Sequence, residues 1–301
     1  MAETRGADGG ARPLIVNLAP TGMVPTKDRT PHVPVTTEEI LEDVAACREL
    51  GASVIHVHAR DESQRPTHRA DAFAPIVEGI RAIDPDLIVC VTCSGRRVGD
   101  LERRAEVLSL DGPAKPDMAS LTLGSNNFAR EASANPPEVI RGLAGRMKER
   151  GIRAELEVFE PGMAAFAKVL LDEGLLTPPC CFNILLGGPG TSPLSASALA
   201  AFLAELPDRA VWGVAGIGRY QLAANAVGLA LGGHVRTGLE DNIRWDGGGS
   251  LATNAQLVGR IAELAAILGR PLAQPSEARE LLGLPPAGSA SLPRAPRLAK
   301  A

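Results

Sequence analysis

Short runs of aliphatic and β-branched residues alternate along this chain with longer stretches whose apolar positions recur every three or four residues. The short runs predict strands at 14–18, 53–58, 87–93, 118–124, 153–159, 180–186, 210–216 and 234–240. The longer stretches predict helices at 36–51, 70–83, 101–110, 137–150, 163–173, 195–205, 220–231 and 253–268. The first helix shows the logic: Thr36 offers an N-cap, Glu38 and Glu39 fall in the first turn, Ile40, Val44, Cys47 and Leu50 share a face, and Gly51 is the stop. Eight strand-helix units in one series predict a (β/α)8 barrel of parallel strands. An open doubly wound sheet is the alternative, but the first strand-helix loop, 20–25, has no G-x-G-x-x-G for a dinucleotide. A capped helix at 275–282 reads as a short extension. The barrel is therefore expected as a single domain over 13–284, between a disordered leader (1–12) and a Pro- and Ala-rich flexible tail (285–301).

Composition narrows the function. The 301 residues are 45% hydrophobic and 22% charged, with a net charge of −4 and only 3% aromatic residues, so no basic stripe for nucleic acid is present. No run of eighteen apolar residues exists and the first ten residues carry no signal-peptide core, which points to a cytoplasmic protein away from membranes. Five cysteines in apolar runs read as reduced, buried thiols. Cys90 and Cys93 have redox-motif spacing, but a strand places them on opposite faces.

The chemistry begins at His56 and His58. Two residues apart in a strand, they point the same way together with Val54, while Ile55 and Val57 point the other way. Two same-face imidazoles are half of a divalent metal site; a pair of hydrogen-bonded interior histidines is the plain alternative. Barrel enzymes work at the C-terminal ends of their strands. The eighth strand ends there with Arg236, Gly238 and Glu240 on one face, and barrel closure puts it one strand away from the second. Axes about 10 Å apart let inward side chains meet at one ion, so Glu240 is the expected third ligand. Thr92, Ser94, Ser120, Thr122, Glu155, Glu157 and Asn183 are polar positions that could contact substrate or pair internally. Gly216, Gly218 and Arg219, in the loop after the seventh strand, could face the phosphates of a cofactor such as coenzyme A, or could form an ordinary tight turn.

The segments 51–61, 155–159, 215–221 and 232–242, with Pro34 ahead of the first helix, together resemble the β-keto acid cleavage enzymes, the family of the 3-keto-5-aminohexanoate cleavage enzyme. The resemblance runs in order from about residue 14 to 284 and implies a zinc-dependent barrel. It implies that a β-keto acid and acetyl-CoA are converted to acetoacetate and a new CoA thioester. Carried over by position, His56, His58 and Glu240 would hold zinc, Arg236 and Asp241 would form a proton-abstracting dyad, and Thr92 and Ser120 would meet the keto acid. Pairing with a guanidinium is expected to make Asp241 less basic. Where the resemblance places a glutamate that meets a substrate ammonium, this chain has Val24, so an uncharged side chain on the substrate is expected. A homo-oligomer is the usual family expectation. Another metal-dependent lyase, aldolase or hydrolase that does not use CoA is the competing reading, and a barrel that binds metal without catalysis is a third.

Overall fold

The computed structural model describes residues 12–288 apart from residue 248, so 1–11 and 289–301, which hold most of the expected leader and tail, lie outside the described residues. Eight parallel strands close into a barrel: β1 (Val16–Leu18), β2 (Val54–Val57), β3 (Ile88–Val91), β4 (Met118–Thr122), β5 (Arg153–Val158), β6 (Cys180–Leu186), β7 (Ala210–Gly216) and β8 (His234–Thr237). Each strand pairs with its sequence neighbours, and closure is made where Val16, Asn17 and Leu18 align with Val235, Arg236 and Thr237. The predicted architecture is therefore the observed one. Helices α1 (Thr37–Glu49), α2 (Ala70–Ile83), α3 (Leu101–Ala105), α4 (Pro137–Arg150), α5 (Pro161–Asp172), α6 (Ala196–Glu205), α7 (Gln221–Ala230) and α8 (Asn254–Ile267) follow the strands in turn. Thr36 caps α1 in a reciprocal pairing with Glu39, as its sequence signature indicates.

The period of two sorts the strand residues. Ile55, Val57, Val89, Val91, Ala119 and Leu121 lie in the large core between the sheet and the helices. Ile15, Val54, Ile88, Cys90 and Met118 form a separate apolar layer together with Ala278, Leu282 and Leu284. Those last residues belong to or follow α9 (Pro275–Leu282), so the expected extension packs against the lower layer and closes the N-terminal end of the barrel. Its loop is tied in: the Leu14 N–H donates to the Pro271 carbonyl at 2.8 Å, and the Ala273 N–H to the Leu14 carbonyl at 2.9 Å. With the bottom closed, polar groups in the upper layers face the other end.

Two features departed from the sequence reading. The helix expected over 101–110 is α for only one turn and continues as a 3-10 segment, Glu106–Ser109. Two short hairpins, Ala59–Arg60 with Pro66–Thr67 and Asn126–Asn127 with Ala132–Ser133, stand on the loops after β2 and β4. Two-residue strands carry too little alternation to be seen as a pattern.

Candidate active site

Strand β2 directs both histidines inward. His56 Nε2 and His58 Nε2 lie 3.3 Å apart, and both side chains are buried. Glu240 reaches them from the β8 side of the closure: its Oε1 is 3.3 Å from His58 Nε2 and its Oε2 is 3.9 Å from His56 Nε2. It does so by a different route from the one expected. Strand β8 ends at Thr237, Gly238 takes φ +141° and interrupts the alternation, and the Glu240 N–H donates to the Ala19 carbonyl at 3.1 Å. A Cβ at 238 would stand 2.2 Å from the Ala19 oxygen, and one at Gly22 would stand 2.5 Å from Glu240 Cγ. Only glycine allows these two loops to meet so closely.

The donor set fits a divalent ion. Its ligand atoms lie within 4.8 Å of one another, and Glu240 Oε2 is buried with no hydrogen-bond partner. Two imidazoles and one carboxylate suit zinc and neighbouring first-row ions, and leave positions open for substrate. Behind the set, Glu155 Oε2 lies 2.8 Å from His56 Nδ1, which fixes the ring so that Nε2 faces the other donors. Glu155 Oε1 accepts from Asn17 Nδ2 at 2.6 Å, and Cys90 Sγ donates to Oε2 at 3.4 Å. His56, Cys90 and Glu155 are also close enough to share an ion. Burial and the Glu155 charge, however, hold the Cys90 thiol well above its ordinary range, whereas a metal takes the thiolate. That grouping is the support of His56.

Arg236 joins the donors to a second carboxylate. Its Nε donates to Asp241 Oδ2 at 2.8 Å and its Nη2 to Asp241 Oδ1 at 3.1 Å, a two-point contact, while Nη2 also lies 2.8 Å from Glu240 Oε1. Burial opposes ionisation of Glu240, but Arg236 and the two imidazoles hold its carboxyl well below the usual range. Asp241 shifts the other way. Burial, with the nearby Glu240 charge, outweighs the guanidinium and raises it, so the aspartate is more basic than pairing alone predicts. Burial also lowers His58, with Glu240 offsetting only part of the effect.

These groups line an open cavity. His58, Thr92, Arg236, Glu240, Asp241 and Val24 all face it. Ser120 is placed elsewhere: it is buried below the cavity, where its hydroxyl accepts from the Cys93 N–H at 3.1 Å. Thr122, one inward position higher, lines the cavity and donates to Glu157 Oε2 at 2.8 Å. Gly216, Gly218 and Arg219 do not line it either. The Gly218 N–H donates to the Asp241 carbonyl at 2.8 Å, Gly216 packs against the Tyr220 backbone, and the Arg219 guanidinium lies over the Tyr220 ring at 4.9 Å.

Residues 13–284 match the family model described as beta-keto acid cleavage enzyme. The chain belongs to this family. It is 39% identical to the 3-oxoadipate:acetyl-CoA acetyltransferase of Cupriavidus necator over 91% of this chain and 96% of that one. It is 37% identical to the 3-keto-5-aminohexanoate cleavage enzyme of Fusobacterium nucleatum, over 90% and 98%. The 3-dehydrocarnitine:acetyl-CoA trimethylamine transferase of Rhizobium meliloti is 30% identical, over 91% and 97%. Among solved structures, apo ObcA superimposes with a TM-score of 0.73 at 22% identity, covering 84% of this chain and 66% of that chain, a likeness of fold. In this β-keto acid cleavage enzyme, the site also holds residues to which sequence reasoning assigned no particular role. Glu155 was visible only as an acid at an inward strand position, one of several. Arg96 and Phe128 line the cavity from the loops after β3 and β4, where no periodicity marks a residue as inward.

Proposed function

We propose that this chain is an acetyl-CoA-dependent enzyme that converts a β-keto acid and acetyl-CoA into acetoacetate and a new acyl-CoA, with zinc held by His56, His58 and Glu240. The observation that carries this reading is the meeting of those three donors with the Arg236–Asp241 pair at the open end of the barrel, in a member of this family. Bound by these three residues, a zinc ion would supply Lewis acidity that eases deprotonation of the β-keto acid. Asp241 is the base: it faces the cavity, and burial raises its affinity for a proton. It takes the proton from C2 of the keto acid, while Arg236, held by both Asp241 oxygens, keeps its charge and faces the negative charge that develops. The exchange balances when C2 bonds to the acetyl carbonyl carbon and the thioester C–S bond breaks. The released thiolate then adds to the keto carbon, the C2–C3 bond breaks to give the new acyl-CoA, and Asp241 returns its proton to C2 to give acetoacetate.

Val24 and Met23 supply one apolar part of the cavity wall, so the part of the substrate against them is uncharged and an ammonium would find no counter-charge from them. Thr92 offers a hydroxyl to the keto acid at the cavity surface, and Ser120 supports the loop behind it. Coenzyme A phosphates would approach the rim at Arg219, beyond the cavity. Five free thiols suit a reducing, cytoplasmic compartment, and among the described residues no helix is long and apolar enough to cross a membrane. Exposed Leu231, Ile267 and Leu268 on the outer layer suit a homo-oligomeric contact. The test is a panel of β-keto acids with and without acetyl-CoA, scored for acetoacetate, beside metal analysis of the protein. Metal- and acetyl-CoA-dependent acetoacetate is expected. Cleavage that proceeds without acetyl-CoA would replace this reading with a lyase or hydrolase.

A further inference from the structure

The turn that carries Glu240 and Asp241 is gripped by side chains outside the cavity lining. Two buried amides meet on the peptide between Gly238 and Leu239, immediately before Glu240. Gln221 Nε2 donates to its carbonyl at 2.9 Å, and Asn254 Oδ1 accepts from its N–H at 2.9 Å. These are the first residues of α7 and α8. Asn254 Nδ2 also donates to the Pro20 carbonyl at 3.1 Å, so the same side chain ties the turn to the loop that holds the Glu240 N–H through Ala19. A Cβ at Gly216 would stand 2.6 Å from the Gln221 Cα, so a glycine there lets the start of α7 press on the end of β7. Satisfying a buried carbonyl does not explain Gln221. The Gly238 oxygen already accepts from the Asp241 N–H at 3.3 Å and the Asn242 N–H at 3.2 Å. Gln221 Oε1 is itself buried with no hydrogen-bond partner among the described residues, which costs stability.

We infer that Gln221 and Asn254 are positioning residues for the metal donors. Held at both its oxygen and its nitrogen, the 238–239 peptide keeps one orientation, and that orientation sets where the Glu240 carboxylate stands relative to His56 and His58. Gly216 and Gln221, in the loop after β7, thereby take part in holding the metal set. The inference rests on the proposed binding of zinc by His56, His58 and Glu240. The bland alternative is stabilisation alone, in which the two amides support the fold and the place of Glu240 is fixed by Gly238 and the Ala19 carbonyl.

Zinc affinity of the metal-depleted protein, read against a chromophoric chelator, separates these readings when it is measured beside the melting temperature of the same metal-free protein. Gln221→Met keeps the volume and removes both amide atoms. It should bind zinc about 10-fold more weakly, the lower end of what a partner behind a metal ligand contributes, while the metal-free protein melts at or above the wild-type temperature. A lower melting temperature with wild-type zinc affinity is the result of a purely structural amide and overturns the inference. Gln221→Asn, whose amide is one methylene too short to reach the carbonyl, is the second variant and should show the same loss. Because the effect passes through Glu240, adding Gln221→Met to Glu240→Gln should change affinity by less than about 2-fold, and an undiminished loss in the double variant refutes the inference. Wild-type affinity in Glu240→Gln would remove Glu240 from the metal set and the inference with it. Weakened binding in Glu240→Gln beside wild-type binding in both Gln221 variants would leave the metal set standing and refute the inference alone.

Discussion

Replacing Glu155 by Gln tests whether the buried carboxylate behind His56 supports the metal set. The substitution keeps the volume, and its amide oxygen can still accept from His56 Nδ1, now 2.8 Å from the Glu155 oxygen. The amide NH2 would then face Asn17, whose Nδ2 donates to Glu155 at 2.6 Å. That clash has a remedy, because Asn17 Oδ1 is buried without a partner and a rotated Asn17 amide presents it as the acceptor. The fold should therefore survive. What changes is charge: a hydrogen bond to an ionised acceptor contributes about 1.5–3 kcal/mol and a neutral one about 1. The difference of about 0.5–2 kcal/mol would weaken metal binding by about 2–30-fold, overlapping the roughly 10–100-fold usual for an outer partner of a ligating histidine. Titration of metal-depleted protein against a chromophoric chelator measures it. Wild-type affinity in Glu155→Gln, with affinity lost in His58→Ala, would refute the supporting role. Complete loss in a folded Glu155→Gln would instead make Glu155 a ligand, in the set with His56 and Cys90.

Two further outcomes are expected. Asp241→Asn should keep the metal and the contact to Arg236 but lose most turnover, because an amide does not accept the proton; an unchanged kcat would remove Asp241 as the base. His234 accepts the Ile15 N–H at 2.9 Å, and burial, with the Arg270 and Arg12 charges adding, holds it down to about 3. A folded pKa below the unfolded one means stability that is complete above about pH 6.5 and is lost as pH falls towards 3, by about 2 kcal/mol between pH 6.5 and 5. His234→Asn keeps an acceptor without titrating, so its melting temperature should fall less over that interval, and a slope equal to wild type would show that other groups cause the acid loss.

Periodicity alone determined the eight strands, their helices and the inward direction of His56 and His58, because side-chain alternation is a local property of the backbone. Strand order followed from the unit count, since consecutive parallel units joined by helices have few other ways to pack. The position of Glu240 needed more. Its approach to the two histidines was legible from closure, but its path was not: a glycine at positive φ follows Thr237, where β8 ends, and the loop after β1 supplies the carbonyl that holds residue 240. The basicity of Asp241 was misjudged for a related reason. Sequence shows the neighbouring arginine but not the depth of burial, and here burial outweighs pairing. Glu155 behind His56, Thr122 rather than Ser120 at the cavity surface, and Arg96 against Phe128 are contacts between residues far apart in the chain or on loops without a repeating pattern. Only the packed barrel brings them together.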